Sequence, residues 1–270
     1  MNNLHDIVSH FSIDGTVDVI EPMGAGLIND TYRVATVSSD TDDYVLQRIN
    51  HSIFKDVDLL QRNVVNVTEH IRKKLQERGE TDIKRKALRF IPAKDGKMYY
   101  FDGESYWRIS VLIPKSKTFE TVNPEFAYYT GKAFGDFQSM LVDIPQQLGE
   151  TIPKFHNMEF RLETFKKSIK DNKAGRLEKA QWLVDELLVR ADEMCKAERL
   201  HREGILPKRI THCDTKVNNM LFDENGKVLC VIDLDTTMPG YVLSDFGDFI
   251  RTAGNTGAED DANLDNVNLN

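Results

Sequence analysis

This chain has little of what marks the readily excluded classes of protein. Its 270 residues include three cysteines, Cys195, Cys213 and Cys230. The odd count and unpaired spacing exclude a disulfide framework and imply reduced thiols, hence a cytoplasmic location. A zinc site built from His212, Cys213 and Cys230 would lack the short ligand spacings on which such sites rest. No apolar run approaches the ~20 residues of a membrane helix, and residues 1–12 lack the apolar segment of a signal peptide. No membrane partner is therefore expected. Cationic charge is short as well, with 35 Lys and Arg against 43 Asp and Glu and a net charge of −8. That leaves no general basic face for nucleic acid, while a local basic pocket for nucleotide phosphates stays compatible with it. Internal repeats are absent.

What is present reads as an α+β protein with strands first and helices after. Val17-Asp18-Val19-Ile20, Thr31-Tyr32-Arg33-Val34-Ala35 and Tyr44-Val45-Leu46-Gln47-Arg48-Ile49 are expected strands. Residues 56–79 are an expected helix, with Val57, Leu60, Val64, Val67, Ile71 and Leu75 at spacings of three and four and Gly79 beyond its end. Residues 87–91 and 97–102 read as strands around a Lys94-Asp95-Gly96 turn, and residues 105–113 as another, ended by Pro114. Asn123-Pro124 starts a helix by capping chemistry, with Phe126, Tyr129, Ala133, Phe137 and Leu141 on its expected core face. Residues 158–170 read as a helix. Residues 176–203 read as one long helix, with Leu177, Trp182, Leu183, Leu187 and Met194 in the core. A strand pair brackets the turn at 223–227. The expected units are an N-terminal lobe, 1–113, a helical lobe, 114–256, and a polar tail, 257–270, that is either disordered or a truncated element.

The chemistry concentrates at residues 210–235. Phosphoryl transfer from a nucleotide needs an acceptor for the substrate proton and oxygen ligands for magnesium on the phosphates. Asp214 is the candidate for the first, and Asn219 and Asp233 for the second. Gly24 and Gly26, in the bend after the first strand, let the backbone come close to phosphate. Their setting does not fit the dinucleotide fingerprint, because a strand follows where a helix is needed. Two further motifs compete. Asp233-Leu234-Asp235-Thr236-Thr237 matches a phosphatase nucleophile motif, but that fold needs a long α/β core after it. Asp245-Phe246-Gly247 spells a kinase magnesium motif, but Asp233 stands at the better hairpin distance from Asp214. Asp245 and Asp248 are read as loop-stabilising residues, with sugar contact as the other reading.

His212-x-Asp214-x-x-x-x-Asn219 followed by Ile232-Asp233 resembles the catalytic segment of the aminoglycoside phosphotransferase and choline-kinase-like superfamily. Gly24 to Tyr32, including Asn29, resembles its nucleotide hairpin. Thr211-His212-Cys213-Asp214-Thr215-Lys216-Val217-Asn218-Asn219-Met220-Leu221-Phe222, with Met238-Pro239-Gly240-Tyr241, is similar to N-acetylhexosamine 1-kinases. The resemblance implies a bilobal protein-kinase-like fold with an antiparallel N-terminal sheet, one main helix there, and a mainly helical C-terminal lobe. It implies ATP and Mg2+ as cofactors and an amino sugar as substrate, phosphorylated at its anomeric hydroxyl. Asp214 would orient that hydroxyl and His212 would hold the loop. Choline, homoserine or an aminoglycoside are the alternative substrates, and a shortened nucleotide-binding chain without turnover is the other class. Kinases place a phosphate-binding lysine on the third strand. Here Gln47 or Arg48 stands in its neighbourhood, on opposite faces by alternation, with Glu69 as an optional partner of Arg48. Residues 110–114 are the expected hinge, where Val111 and Ile113 offer backbone groups to adenine.

Overall fold

A computed structural model describes residues 3–24, 28–120, 123–257 and 261–269. A short helix, α1 (Leu4–Ser9), opens the chain, and the meander β1 (Val17–Pro22), β2 (Asp30–Thr36), β3 (Tyr44–Ile49) follows. Next come α2 (Val57–Glu77), α3 (Ile83–Lys86), β4 (Phe90–Ile91), β5 (Tyr100–Phe101) and β6 (Tyr106–Val111). The strands form one antiparallel sheet in the order β1-β2-β3-β6-β4, with β5 also on β6. The 94–96 turn is present, but β4 and β5 do not pair with each other as a hairpin. Both lie on β6.

The sheet has two apolar faces. On β3, Tyr44 and Leu46 point to a cluster with Ile7, Val8 and Phe11 from the α1 region. Ile49, on the opposite pleat, joins the α2 cluster. Arg48 shares the Tyr44 side and Gln47 the Ile49 side by the same alternation. α2 is capped by Asp56, whose carboxylate accepts from Leu59 N–H at 2.8 Å. It ends where Glu80 N–H returns to Leu75 C=O and Gly79 N–H to Gln76 C=O, with Gly79 at φ +68°; this 6→1 and 5→2 pattern needs the left-handed residue at that position. Leu60, Val64, Val67 and Ile71 of α2 pack with Phe137, Met140 and Leu141 and with Leu234. One helix thus ties the sheet to the region that carries the site.

The remainder is helical around two small strand pairs. It contains α4 (Pro124–Met140), α5 (Met158–Asp171), α6 (Leu177–Met194), α7 (Lys196–Arg202), β7 (Arg209–Thr211), β8 (Met220–Phe222), β9 (Val228–Val231), β10 (Met238–Gly240) and α8 (Val242–Ala253). β7 pairs with β10 and β8 with β9, all antiparallel. The protein is therefore an α+β, bilobal, protein-kinase-like fold. Asn123 caps α4 through Phe126 N–H at 2.8 Å. Its buried face is Thr130, Phe134, Phe137 and Met140; of the expected face, Phe137 and Leu141 are buried and Ala133 packs on a core cluster, while Tyr129 is 45 % exposed. The expected long helix is two. It breaks at Cys195, which lets Cys195 and Glu198 turn inward, where the Tyr241 hydroxyl donates to Glu198 at 2.9 Å. Trp182, Leu183, Leu187 and Met194 are exposed rather than core, and Leu187 and Met194 line an open cleft with Leu162 and Phe165 of α5. In the tail, Asn255 bridges to Leu269.

The β8–β9 hairpin sets the spacing of the site, and its turn depends on Gly226. That residue has φ +81°, and a β-carbon there would lie 2.6 Å from Cζ of Phe126. Gly226→Ala is therefore expected to lower unfolding free energy by about 2 kcal/mol, from left-handed strain plus overpacking, as read from urea denaturation.

Candidate active site

The segment after β7 is held by its backbone before any side chain acts. His212 is fully buried. Asp214 N–H donates to its Nδ1 at 3.2 Å, so Nε2 carries the proton and donates to the Ile232 carbonyl at 2.9 Å. Phe134 and Phe137 meet the imidazole edge-on. His212 is thus a neutral strut between the loop and β9. Asp245, buried in the first turn of α8, accepts from His212 N–H at 2.9 Å, Cys213 N–H at 2.8 Å and Gln138 Nε2 at 2.6 Å. Its own carbonyl accepts from Thr215 Oγ1 at 2.6 Å. Cys213 is left-handed, φ +64°, which turns consecutive N–H groups toward one anion. Burial pushes the Cys213 thiol up to about 12 and the Cys230 thiol likewise, so neither is a nucleophile at neutral pH.

Held in this way, Asp214 presents its carboxylate beside Asn219. The Asn219 Nδ2 donates to Asp214 Oδ2 at 2.9 Å and to the Asp214 carbonyl at 2.8 Å, which leaves the Asn219 Oδ1 outside these bonds. Lys216 Nζ lies 3.5 Å from Asp214 Oδ2. Asp233 follows β9 in a left-handed conformation, φ +55°, and Ile232 N–H to Asn219 C=O at 2.9 Å fixes its distance from the loop. It is solvent-accessible yet ringed by protein atoms. That crowding, with the charges of Asp235 and Asp214 and against the pull of Arg108, pushes its carboxyl up to about 6. Among the described residues no group of three or more His, Cys, Asp and Glu forms a metal cluster. One amide oxygen and one carboxylate are instead a sparse oxygen set, of the kind that suits a magnesium ion otherwise held by phosphates and water.

The expected nucleotide residues fall in different places. Gly24 has φ +72°, and a β-carbon there would meet nothing within 4 Å, so its glycine answers to conformation alone. Gly26 lies outside the described residues. Asn29 is buried, with both ends of its amide engaged: Nδ2 donates to Asp235 Oδ2 at 2.8 Å and Oδ1 accepts from Asn50 N–H at 2.9 Å. Gln47 faces the cleft side, where its Oε1 accepts from Arg108 Nε at 3.0 Å. Arg48 is on the outer face, ion-paired with Asp30, and Glu69 is exposed. Val111 N–H is committed to Arg89 C=O at 2.9 Å. Ile113 is buried, and its carbonyl accepts from Ser116 Oγ at 2.7 Å.

Sequence reasoning missed Arg108, whose signal was a lone cation in the apolar run Tyr106-Trp107-Arg108-Ile109. It also missed Thr151, whose hydroxyl donates to the Asp235 carbonyl at 2.7 Å, and His156. The Nδ1 of His156 is buried without a partner. Burial lowers the His156 imidazole below its ordinary range against the pull of Asp248, Asp245 and Asp214, which places it in the field of the Asp214 loop. The Asp233–Asp235 turn ends an antiparallel hairpin, not a strand of a parallel sheet, which removes the setting a phosphatase motif needs.

Solved structures with this fold include an aminoglycoside phosphotransferase from Alicyclobacillus acidocaldarius, at 14% identity and TM-score 0.55 over 91% of this chain and 70% of that one. A spectinomycin phosphotransferase solved with ADP and spectinomycin shares 15% identity at TM-score 0.55, over 90% and 70% of the two chains. An amicoumacin kinase solved with AMP-PNP, Ca2+ and Ami shares 13% at TM-score 0.59, over 92% and 68%. At these identities the likeness is one of fold. The sequence itself goes further: residues 19–267 match the model of a single family. The sheet from Val19 onward, the loop that presents Asp214 and the hairpin behind it fall within that match, and the chain belongs to the phosphotransferase enzyme family.

Proposed function

We propose that this protein is an ATP- and magnesium-dependent kinase of a small-molecule hydroxyl, and that its substrate is an N-acetylhexosamine, GlcNAc or GalNAc, taken at the anomeric hydroxyl. The observation that carries the reading is the Asp214 carboxylate, locked by the Asn219 amide and set across a hairpin from Asp233. Residues 1–113 would form the nucleotide-binding lobe and 114–256 the catalytic lobe, with nucleotide between them. The choice of sugar is supported by the run from Thr211 to Phe222 and by Met238-Pro239-Gly240-Tyr241, which are similar to N-acetylhexosamine 1-kinases.

The sugar hydroxyl would donate its hydrogen bond to the Asp214 carboxylate. Its oxygen attacks the γ-phosphorus while the bond from that phosphorus to the β,γ-bridging oxygen breaks. ADP leaves, and the hydroxyl proton passes late to Asp214. Asn219 Nδ2 keeps the carboxylate in its attacking rotamer. Lys216, beside Asp214, would add positive charge where the transferred group passes. Magnesium, held by Asn219 Oδ1 and Asp233, would supply neutralisation of phosphate charge. Gly24 would approach the phosphates, and Ile113 N–H the adenine.

ATP consumption with N-acetylglucosamine, N-acetylgalactosamine, choline, homoserine and an aminoglycoside, with and without magnesium, tests this. Magnesium-dependent turnover of an amino sugar is expected. Turnover of choline or the aminoglycoside alone would remove the sugar assignment and keep the kinase. Asp214→Asn should cost about 10³-fold in turnover, a general-base effect, while Mg-ADP affinity stays unchanged by calorimetry.

Asp233 supplies a second expectation. Its carboxyl stands near 6 in the folded chain against an ordinary 3.8. Between these values the unfolded chain gives up the proton first, so stability falls as pH rises through that window. Asp233→Asn should therefore raise the unfolding free energy at pH 7.5 without divalent cation by on the order of 1 kcal/mol after screening by solvent, and the melting temperature with it. The gain should vanish near pH 4, and the variant should lose the stabilisation that Mg-ADP gives the parent, both read by thermal denaturation.

A further inference from the structure

One buried ion pair joins the sheet to the turn that carries Asp233. Arg108 and Asp235 each have side chains 3 % exposed. Arg108 Nη1 donates to Oδ1 at 2.5 Å and Nη2 to Oδ2 at 2.9 Å, a bidentate fork. Its Nε donates to Gln47, its direct register partner across β3 and β6, and its guanidinium lies 5.5 Å from the centre of the Phe90 ring. Asn29 donates to the same carboxylate from the first hairpin. Burying such a pair costs desolvation that the pair scarcely recovers, so stability alone is a poor reason for it. The location supplies a better one. Asp214, Asp233 and Asp235 put three carboxylates in a cleft that must receive a polyanion. The strand that carries a lysine in kinases here offers uncharged Gln47, while Arg48 faces outward onto Asp30.

We propose that Arg108 is the positioning cation of this cleft: from β6, one strand over, it fills the place of the strand lysine and holds the Asp233–Asp235 turn and the Asn29 hairpin in the arrangement that receives Mg-nucleotide. This rests on the kinase reading above. Calorimetric titration with Mg-ADP of the parent chain, Arg108→Met, Arg108→Lys and the double variant Arg108→Met/Gln47→Lys tests it, with folding followed by circular dichroism. Folded Arg108→Met should bind at least about tenfold more weakly. Arg108→Lys, which keeps the charge but not the fork, should lose roughly threefold or more, and it carries the test if the methionine variant does not fold. Adding Gln47→Lys should return affinity to within about threefold of the parent, a rescue that a purely structural ion pair gives no reason to expect. Unchanged affinity in the folded single variants, or no recovery in the double variant, overturns the proposal while the kinase reading stands. A parent chain that binds no Mg-ADP overturns the kinase reading and this inference with it.

Discussion

Two consecutive backbone N–H groups, those of His212 and Cys213, converge on the buried carboxylate of Asp245. Most of the local chemistry depends on that contact. It requires Cys213 to adopt a left-handed conformation that a residue with a β-carbon resists, and the carboxylate repays the strain with charge-assisted bonds. With the backbone pinned there, His212 can reach β9, Thr215 can bond back to α8, and Asp214 emerges at a fixed angle. Gln138 of α4 donates to the same carboxylate. The loop is thus supported from two helices, α4 and α8.

A second constraint works from the opposite side. The β8–β9 hairpin returns the chain from Asn219 to Asp233 over a distance fixed by ladder bonds, and Ile232 N–H to Asn219 C=O closes it. Asp233 then turns left-handed, which separates its direction from that of Asp235 two residues on. One carboxylate is left in contact with solvent while the other is buried against Arg108. The same Asp-x-Asp spacing thus yields two groups with different environments, one open to solvent and one consumed by the fold.

How much of this could be read beforehand follows the range of the interactions. Caps at Asp56 and Asn123 and the left-handed Gly79 are local chemistry, and they appear where the residue types demand them. The Asp214–Asn219 spacing is local too. Arg108 and Asp235 are 127 residues apart, and Asn29 and Asp235 are 206 apart. No periodicity encodes such partners, and nothing within the strand at 105–113 marks Arg108 as one. Periodicity also names an amphipathic face without naming what covers it. Trp182 and Leu183 recur as core residues do, yet both are exposed, and Val184 is the residue of α6 that is buried. On α4 the period was right and Phe137 is buried as expected, but Tyr129 and Thr130 are both compatible with a stripe and packing chose the threonine.

The charge balance of the cleft joins these threads. On the proposed kinase reading, Asp214, Asp233 and Asp235 would repel a nucleotide triphosphate before anything else happens. Arg108 neutralises one of them within the fold, and Lys216 stands by another. What remains uncompensated is Asp233, crowded enough that its own ionisation is resisted. A divalent cation relieves that repulsion and the repulsion toward phosphate at once, so metal and nucleotide should favour each other's entry more than either would alone. A lysine on β3 would supply part of that compensation permanently. With Gln47 in its place, a cleft that serves the proposed kinase reaction would rely on the metal and on a cation already bound to a carboxylate, which would make affinity for free nucleotide low and affinity for the metal complex the controlling quantity.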